Sequence, residues 1–232
     1  MDKFDSRTIG LIKEEGVIAL SKSKAAIFGV GGVGGTCLEA LVRSNVGQID
    51  IYDFDKVDES NLNRQICFDY SSIGKEKVTI AKEKMNKINP RTVVNAFSLR
   101  LDLDNVKELN LSQYDYIVDC IDETSPKIAL IKRCMNENIR IVSSLGMANR
   151  FDPSKVIITT LEKTYNDPLA KLIRNKLRSE GINPKLLSVA FSSELPIKNG
   201  TFKGSMMLVP SSAGLSLAYK TIFDLILSYN KE

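Results

Sequence analysis

The stretch "KAAIFGVGGVGGT", residues 24–36, places Gly29, Gly31 and Gly34 in a GxGxxG spacing. An apolar run before the glycines predicts a buried strand, and residues 33–44 repeat apolar side chains at helical spacing. Glycines at these positions allow a tight turn, and the N-terminus of the following helix offers unpaired N–H groups to a phosphate. The stretch therefore predicts the strand, turn and helix of a nucleotide-binding α/β fold.

A second apolar strand, Ile49 to Tyr52, is followed at once by Asp53. This acid comes about twenty residues after the glycine turn, where a carboxylate can hydrogen-bond the hydroxyls of a ribose. A glycine turn by itself is weak evidence, because such turns also serve purely structural purposes. With Asp53 at this spacing, nucleotide binding is favoured over a structural turn.

Strand and helix patterns alternate along the first two thirds of the chain. The predicted elements are helices over 6–20, 33–44, 75–88 and 124–137, and strands over 25–28, 49–52, 93–99, 114–122 and 139–146. This alternation predicts an α/β fold with a Rossmann-like, doubly wound and mostly parallel sheet.

The pattern changes beyond Asn149. The predicted elements there are strands within 151–164, 187–192 and 206–209, a helix over 167–180 with proline at its first position, and a final helix. No stretch is rich enough in Gly, Pro or Ser to mark a linker. We therefore predict one domain over residues 1–232, with a nucleotide-binding core and N-terminal helix in 1–149 and a C-terminal α+β extension in 150–232.

Two absences in the composition exclude classes of chemistry. The 232 residues include no histidine, which excludes Ser-His-Asp triads, Cys-His pairs and His-ligated metals. The four cysteines form no CxxC pair, which argues against a zinc ribbon and a disulfide scaffold. The net charge of +4 permits contact with nucleic acid without demanding it.

Targeting and membrane signals are not found either. The N-terminus is charged, unlike a secretory signal, and the most apolar stretch, 208–229, is interrupted by Pro210, Lys220 and Asp224. We expect no membrane span and a cytoplasmic location.

A long polar segment, "YDFDKVDESNLNRQICF" over residues 52–68, follows the second strand. A glycine turn alone suggests NAD or FAD, but hydride transfer has no use for cations placed beyond the ribose acid. Here Asp55, Asn61, Asn63, Arg64 and Gln65 follow at once, and Lys75 and Lys77 open the next helix. Such a set suits a triphosphate and a transition state with growing charge on phosphoryl oxygens. The simpler alternative is a solvated acidic loop closed by a surface arginine.

"VDCIDET" adds Asp119 and Asp122 at the end of a later strand, the side on which such sheets bind ligands. Carboxylates without histidine suit Mg²⁺, which binds one or two acids together with substrate phosphates. Asp122 is the better ligand candidate, and Asp119 equally suits capping of the next helix.

The pattern "GVGGVG…DFDKVDESNLNRQ…GKEK…DCID" resembles the adenylating, ThiF-type fold of ubiquitin-activating enzymes. The resemblance implies that Arg64, Lys77 and Asp122 handle the phosphates and Mg²⁺ of ATP. It also implies a homodimer, in which Arg7 of "FDSRTIGLI" reaches the neighbouring subunit's site. The nucleotide contacts that it implies are Gly29, Gly31, Gly32, Gly34, Asp53, Asp55, Asn61, Asn63 and Gln65.

The C-terminal half, from "SSLGMANRFDPSKVIITTLEKT" to "VAFSSELP", is similar to the branch that dehydrates threonylcarbamoyladenosine in tRNA. That branch implies activation of the threonyl carboxylate by ATP, then ring closure by the neighbouring urea, with the extension on the substrate side. A carboxylate is already ionised at neutral pH, so the attack needs positioning and charge neutralisation but no general base. The resemblance leaves open a bound monovalent cation and accessory proteins of a sulfur relay.

A basic stripe on the predicted helix 167–180 is the candidate contact with tRNA. Lys171, Arg174 and Arg178 share one helical face, with Lys163 just before it. Such a stripe suits a phosphate backbone, although an ordinary solvated face explains it equally well.

The cysteines separate this hypothesis from its main alternative, an activator of a small ubiquitin-like or sulfur-carrier protein. Such activators often use a downstream cysteine, but this chain has none after Cys134. Cys67 is the candidate nucleophile, and its apolar neighbours predict a raised pKa and little thiolate. A third hypothesis is a nucleotide-sensing scaffold without turnover.

Overall fold

The computed structural model describes residues 3–198, 200–201 and 203–229, which form a sheet with helices on both faces. The strands are β1 (Lys24–Phe28), β2 (Gln48–Tyr52), β3 (Val93–Phe97), β4 (Tyr116–Asp119), β5 (Ile141–Ser144), β6 (Val156–Thr160) and β7 (Ser188–Ser192). The helices are α1 (Ser6–Lys22), α2 (Gly32–Arg43), α3 (Lys77–Ile88), α4 (Asn105–Glu108), α5 (Thr124–Asn136), α6 (Pro168–Ser179) and α7 (Leu208–Tyr229).

The strand order determines where a ligand can bind. The seven strands lie in the order β3-β2-β1-β4-β5-β7-β6. All neighbouring pairs are parallel except β6 with β7, which is antiparallel. Because the chain winds outward in both directions from β1 and β4, a crevice opens between their carboxyl ends. The predicted doubly wound, mostly parallel fold is confirmed.

The strands at the centre of the sheet are apolar because both of their faces are covered. In β1, Ala25 to Phe28 are at most 1% exposed. Alternate side chains enter two separate apolar cores, with Ile27 packing on one face and Phe28 on the other. Among the described residues, no helix is both long and apolar enough to cross a bilayer.

The C-terminal extension continues the same sheet. β7 pairs with β5, and α7 lies against α2, the helix that follows the glycine turn. Where the two helices meet, a Cβ placed on Gly214 would lie 2.4 Å from the carbonyl oxygen of Val33. The extension therefore contributes two strands to the seven-stranded sheet, and the single domain over residues 1–232 stays a prediction.

The strand predicted over 206–209 is wrong, because α7 begins at Leu208. Pro210 explains the difference, since proline lacks the N–H that a central strand needs and is tolerated in the first turn of a helix.

Candidate active site

The glycine turn is shaped by close backbone contacts. Gly29 adopts φ +92°, and a Cβ there would lie 2.7 Å from the carbonyl oxygen of Cys120. A Cβ on Gly34 would lie 1.8 Å from the carbonyl oxygen of Gly29. Gly31 stands before the first residue of α2, Gly32, so the free N–H groups of the helix start open at the crevice.

Asp53 ties this turn to the end of β2. One carboxylate oxygen accepts the Val30 N–H at 2.8 Å, and the other accepts the Asp55 N–H at 2.9 Å. Burial raises the pKa of Asp53 above its ordinary value, while these two hydrogen bonds act in the opposite direction. The acid predicted for a ribose therefore also holds the glycine turn in place.

Two cations lie at the crevice, one of them buried and the other partly exposed. The Lys77 side chain is 6% exposed, and its Nζ lies 2.7 Å from a carboxylate oxygen of Asp55. Arg64 is partly exposed, and one terminal nitrogen donates to the Ser60 carbonyl at 2.6 Å and to the Asn63 amide oxygen at 2.8 Å. Its remaining N–H groups make no hydrogen bond with the described residues, so they can reach an anion.

Gln65 has an unpaired hydrogen-bond acceptor beside the glycine turn. Its amide oxygen is buried and has no hydrogen-bond partner among the described residues. Its amide nitrogen would lie 3.7 Å from a Cβ built on Gly31. A buried acceptor without a partner typically costs about 1–3 kcal/mol, and a donor from a bound nucleotide would remove that cost.

The two acids at the end of β4 have different surroundings. Asp122 is exposed and makes no hydrogen bond or ion pair with the described residues, whereas Asp119 is fully buried. Asp119 does not cap α5, since its carboxylate lies 2.8 Å from Lys127 Nζ and accepts the Ile121 N–H at 3.1 Å. The suggested capping role is wrong because the buried cation takes the carboxylate.

A metal site built from protein side chains alone is not present in the described part of the chain, where no three acids or cysteines cluster. Mg²⁺ often binds one carboxylate together with several oxygens from substrate phosphates. The exposed Asp122 fits that mode of binding.

These elements enclose a cleft of about 1240 Å³ between the glycine turn, the polar segment, the β4–α5 loop and the extension. The cleft brings together most of the predicted site residues, which are Gly29, Gly31, Gly32, Gly34, Asp53, Asp55, Asn63, Arg64, Gln65, Lys77 and Asp122. Asn61 is not among the lining residues. Its amide oxygen accepts the Asp58 N–H at 3.1 Å and so shapes the turn instead.

Arg7 does not line the cleft of its own chain. It is exposed near the start of α1, two residues after Asp5, which pairs with Arg91 at 2.8 Å. Arg91 precedes β3, so this part of α1 lies at the amino ends of the strands, opposite the cleft.

The basic stripe on α6 is only partly available to a ligand. One nitrogen of Arg174 donates to the carbonyls of Leu161 and Thr164, each at 2.9 Å, and thereby holds the preceding turn. Arg178 pairs with Glu162 at 2.6 Å. The other two members of the predicted set, Lys163 and Lys171, are exposed and make no ion pair with the described residues.

The far half of the cleft holds a polar cluster that the sequence did not point to. Arg150 is buried, lies 3.5 Å from the carboxylate of Asp167 and donates to the carbonyls of Ser192 and Glu194. Asp167 also accepts the Gly146 N–H at 3.2 Å. Arg150 belongs to no spaced motif, so its role appears only when three distant segments pack together.

None of the cysteines is a ready nucleophile. All four are free, and burial raises the pKa of Cys67 and Cys134 to about 12 and shifts the pKa of Cys37 and Cys120 upward as well. The predicted inert environment of Cys67 is confirmed.

The ThiF family matches residues 5–218. The tRNA threonylcarbamoyladenosine dehydratase of Bacillus subtilis is 37% identical, over 95% of this chain and 94% of that protein. The crystal structure of the Escherichia coli tRNA N6-threonylcarbamoyladenosine dehydratase, TcdA, in complex with AMP is 30% identical and superposes with a TM-score of 0.92, over 97% of this chain and 95% of that one. A structure of the same protein with ATP superposes equally well. The adenylyltransferase and sulfurtransferase UBA4 of Debaryomyces hansenii is 43% identical over 56% of this chain and 29% of its own length.

Proposed function

Since the chain belongs to the ThiF family, we propose that it is an ATP-dependent adenylating enzyme that cyclises threonylcarbamoyladenosine in tRNA with loss of water. The observation that carries this conclusion is the extent of the likeness. The dehydratases match through the C-terminal extension, whereas UBA4 matches little more than half of the chain. The extension lines part of the cleft, where the substrate would meet ATP.

The reaction divides into two steps that need no histidine. The threonyl carboxylate attacks the α-phosphorus of ATP, which forms an acyl adenylate and releases pyrophosphate. An atom of the neighbouring urea then attacks the acyl carbon and closes the ring. AMP departs with the carboxylate oxygen, and the urea loses a proton, so the product lacks one water. Proximity supplies most of the second step because the two groups belong to one molecule.

The lining residues supply the positioning and the charge that the first step needs. The glycine turn and Asp53 hold the nucleotide, and Gln65 accepts a hydrogen bond from it. Arg64 and Lys77 bind phosphate oxygens, where preorganised cations stabilise the charge of the transition state. Asp122 would hold Mg²⁺, which supplies neutralisation of phosphate charge when bound. Formation of a new ring bond at the expense of ATP makes the reaction ligase-type.

The enzyme works as a homodimer in this proposal. Arg7 is exposed and remote from its own cleft, which suits a role in the partner subunit. Helix α7 also presents Leu215, Tyr219, Phe223 and Leu227 to solvent at a spacing of four residues, each at least 44% exposed. Such a stripe supports a subunit contact.

The tRNA contacts are proposed at Lys163 and Lys171, whose charges are not used within the described part of the chain. A tRNA substrate also supports a cytoplasmic location. Partnership with sulfur-relay accessory proteins stays a prediction.

ATP–pyrophosphate exchange tests the proposed function. We expect exchange that depends on tRNA carrying threonylcarbamoyladenosine and is lost with the same tRNA lacking the modification. Exchange stimulated instead by a carrier protein with a Gly-Gly end would establish the alternative activator. ATP binding without exchange under either condition would establish a scaffold.

A further inference from the structure

A fully buried ion pair lies beneath the loop between β4 and α5. The side chains of Asp119 and Lys127 have no exposure to solvent, and their charged atoms are 2.8 Å apart. The same carboxylate oxygen accepts the hydroxyl of Ser143 at 2.6 Å. Lys127 is not one of the cleft-lining residues, so it does not face the nucleotide directly.

The pair holds one residue of the loop from both sides. The second carboxylate oxygen of Asp119 accepts the N–H of Ile121 at 3.1 Å, and Lys127 Nζ donates to the carbonyl of Ile121 at 3.0 Å. That carbonyl belongs to the peptide bond that joins Ile121 to Asp122. Hydrogen bonds to two charged side chains, Asp119 and Lys127, therefore fix the backbone that immediately precedes Asp122.

Stability does not account for these charges. Removing two ions from water is costly, and replacing a buried ion pair with apolar side chains of similar volume is often neutral or stabilising. Apolar replacements cannot, however, bond both the N–H and the carbonyl of Ile121. What the charges provide is a defined position for the loop.

We propose that Asp119 and Lys127 are positioning residues that hold Asp122 in place for the phosphates of ATP and the Mg²⁺ bound to them. This inference rests on the role assigned to Asp122 in the proposed function. Neither residue lines the cleft, and both act through the backbone of Ile121.

The test compares the wild type with the double variant Asp119→Leu/Lys127→Met, which removes both charges and leaves no unpaired ion in the core. Calorimetry measures ATP binding with Mg²⁺ and with EDTA, and thermal unfolding establishes that each protein is folded. We expect the double variant to fold and to bind ATP in EDTA within about twofold of the wild type. Its apparent affinity for Mg²⁺ in the ternary complex should fall by about 10- to 100-fold, as it does when groups that orient a metal ligand are lost.

Ser143→Ala is the matched control, because it removes a hydrogen bond to Asp119 and leaves both bonds to Ile121. It should respond to Mg²⁺ like the wild type. The proposal is overturned if the double variant keeps the wild-type response to Mg²⁺, if both variants lose it equally, or if the double variant does not fold, since the pair would then serve stability. The binding measurements use no tRNA, so an absent tRNA reaction in a wild type that binds Mg²⁺ and ATP would count against the proposed function alone.

Discussion

Lys77 and Arg64 both line the cleft but differ in burial and in how many of their N–H groups are already bonded. Lys77 is buried against Asp55, whereas Arg64 is partly exposed and keeps unused N–H groups. Replacement of Arg64 should therefore remove a phosphate contact and little else. Replacement of Lys77 should also disturb the polar segment, because the carboxylate of Asp55 would then lack its cation.

We predict that Arg64→Ala keeps its stability and loses about 10²–10³-fold in adenylation, as expected for one lost transition-state contact worth about 2.7–4 kcal/mol. Lys77→Ala should show a similar loss of adenylation rate. It should also lose up to about 1 kcal/mol of stability, because its ion pair with the half-exposed Asp55 is removed. ATP–pyrophosphate exchange and urea unfolding measure the two effects. Near-wild-type exchange in either variant would place that residue outside the site.

Cys67 gives a prediction about both mechanism and pH. Burial raises its pKa from 9.0 to about 12, so at pH 8 the native thiol should resist iodoacetamide and Cys67→Ala should turn over like the wild type. The unfolded thiol ionises before the folded one, so the contribution of this group to stability is lost as pH rises above about 9. The variant should therefore lose stability less steeply than the wild type above that pH. A thioester or persulfide trapped on Cys67, with turnover lost in a folded variant, would instead favour the carrier-protein activator.

At the scale of the element, the contact between α2 and α7 links the extension to the nucleotide site. The two helices approach so closely at Gly214 that a side chain would meet the backbone of α2 at Val33. Because α2 begins at the glycine turn, displacement of this helix should reach the phosphate site.

Gly214→Ala should therefore cost about 1–3 kcal/mol of stability through overpacking and weaken ATP binding as well. Gly10→Ala is the control, since a Cβ at Gly10 of α1 meets nothing within 4 Å. In a helix that change should be neutral or stabilising by up to about 1 kcal/mol. Urea unfolding and ATP titration follow both variants, and a fully stable Gly214→Ala protein would show that the helices can move apart freely.

Helix α6 carries two basic residues with separate roles. Arg174→Ala should lower stability by about 1–3 kcal/mol, because it leaves the Thr164 carbonyl of the preceding turn without its donor among the described residues. Lys171→Ala should leave stability within about 0.5 kcal/mol and reduce both tRNA affinity and its salt dependence. Filter binding of tRNA at several salt concentrations tests this assignment, which is wrong if Lys171→Ala binds tRNA like the wild type.

At the scale of the whole molecule, Arg7 and the cleft lie at opposite ends of the strands, so one chain alone does not bring them together. In the proposed dimer, each complete site takes Arg64 from one subunit and Arg7 from the other. Each single variant should therefore lack a complete site, but a hybrid of the two should contain one.

Mixing Arg7→Ala with Arg64→Ala should restore turnover to about a quarter of the wild-type value, because random pairing makes half of the dimers hybrid and each hybrid has one intact site. Subunits must be shown to exchange, for example with differently tagged chains. No restoration in verified hybrids would show that Arg7 acts within its own chain or not at all.

The sequence by itself determined the features that depend on local spacing. The glycine turn, Asp53 and the strand–helix alternation predicted the fold and the cleft, because a tight turn before a helix needs its glycines at set positions. The apolar neighbours of Cys67 likewise predicted its raised pKa, since burial follows from the apolar run around it.

Only the tertiary structure decided which polar side chains are paired within the protein and which are available to bind a ligand. Lys127 falls at an inward position of α5, and its spacing to Leu130 and Cys134 marks it as a buried charge, but its partner Asp119 is known only once β4 and α5 pack together. Arg174 donates to the carbonyls of a turn that lies 10 to 13 residues earlier in the chain. The physical reason is that the hydrogen-bond and ion-pair partners of a side chain come from segments distant in sequence, whereas periodicity and turn residues describe only a segment's own backbone and its buried face.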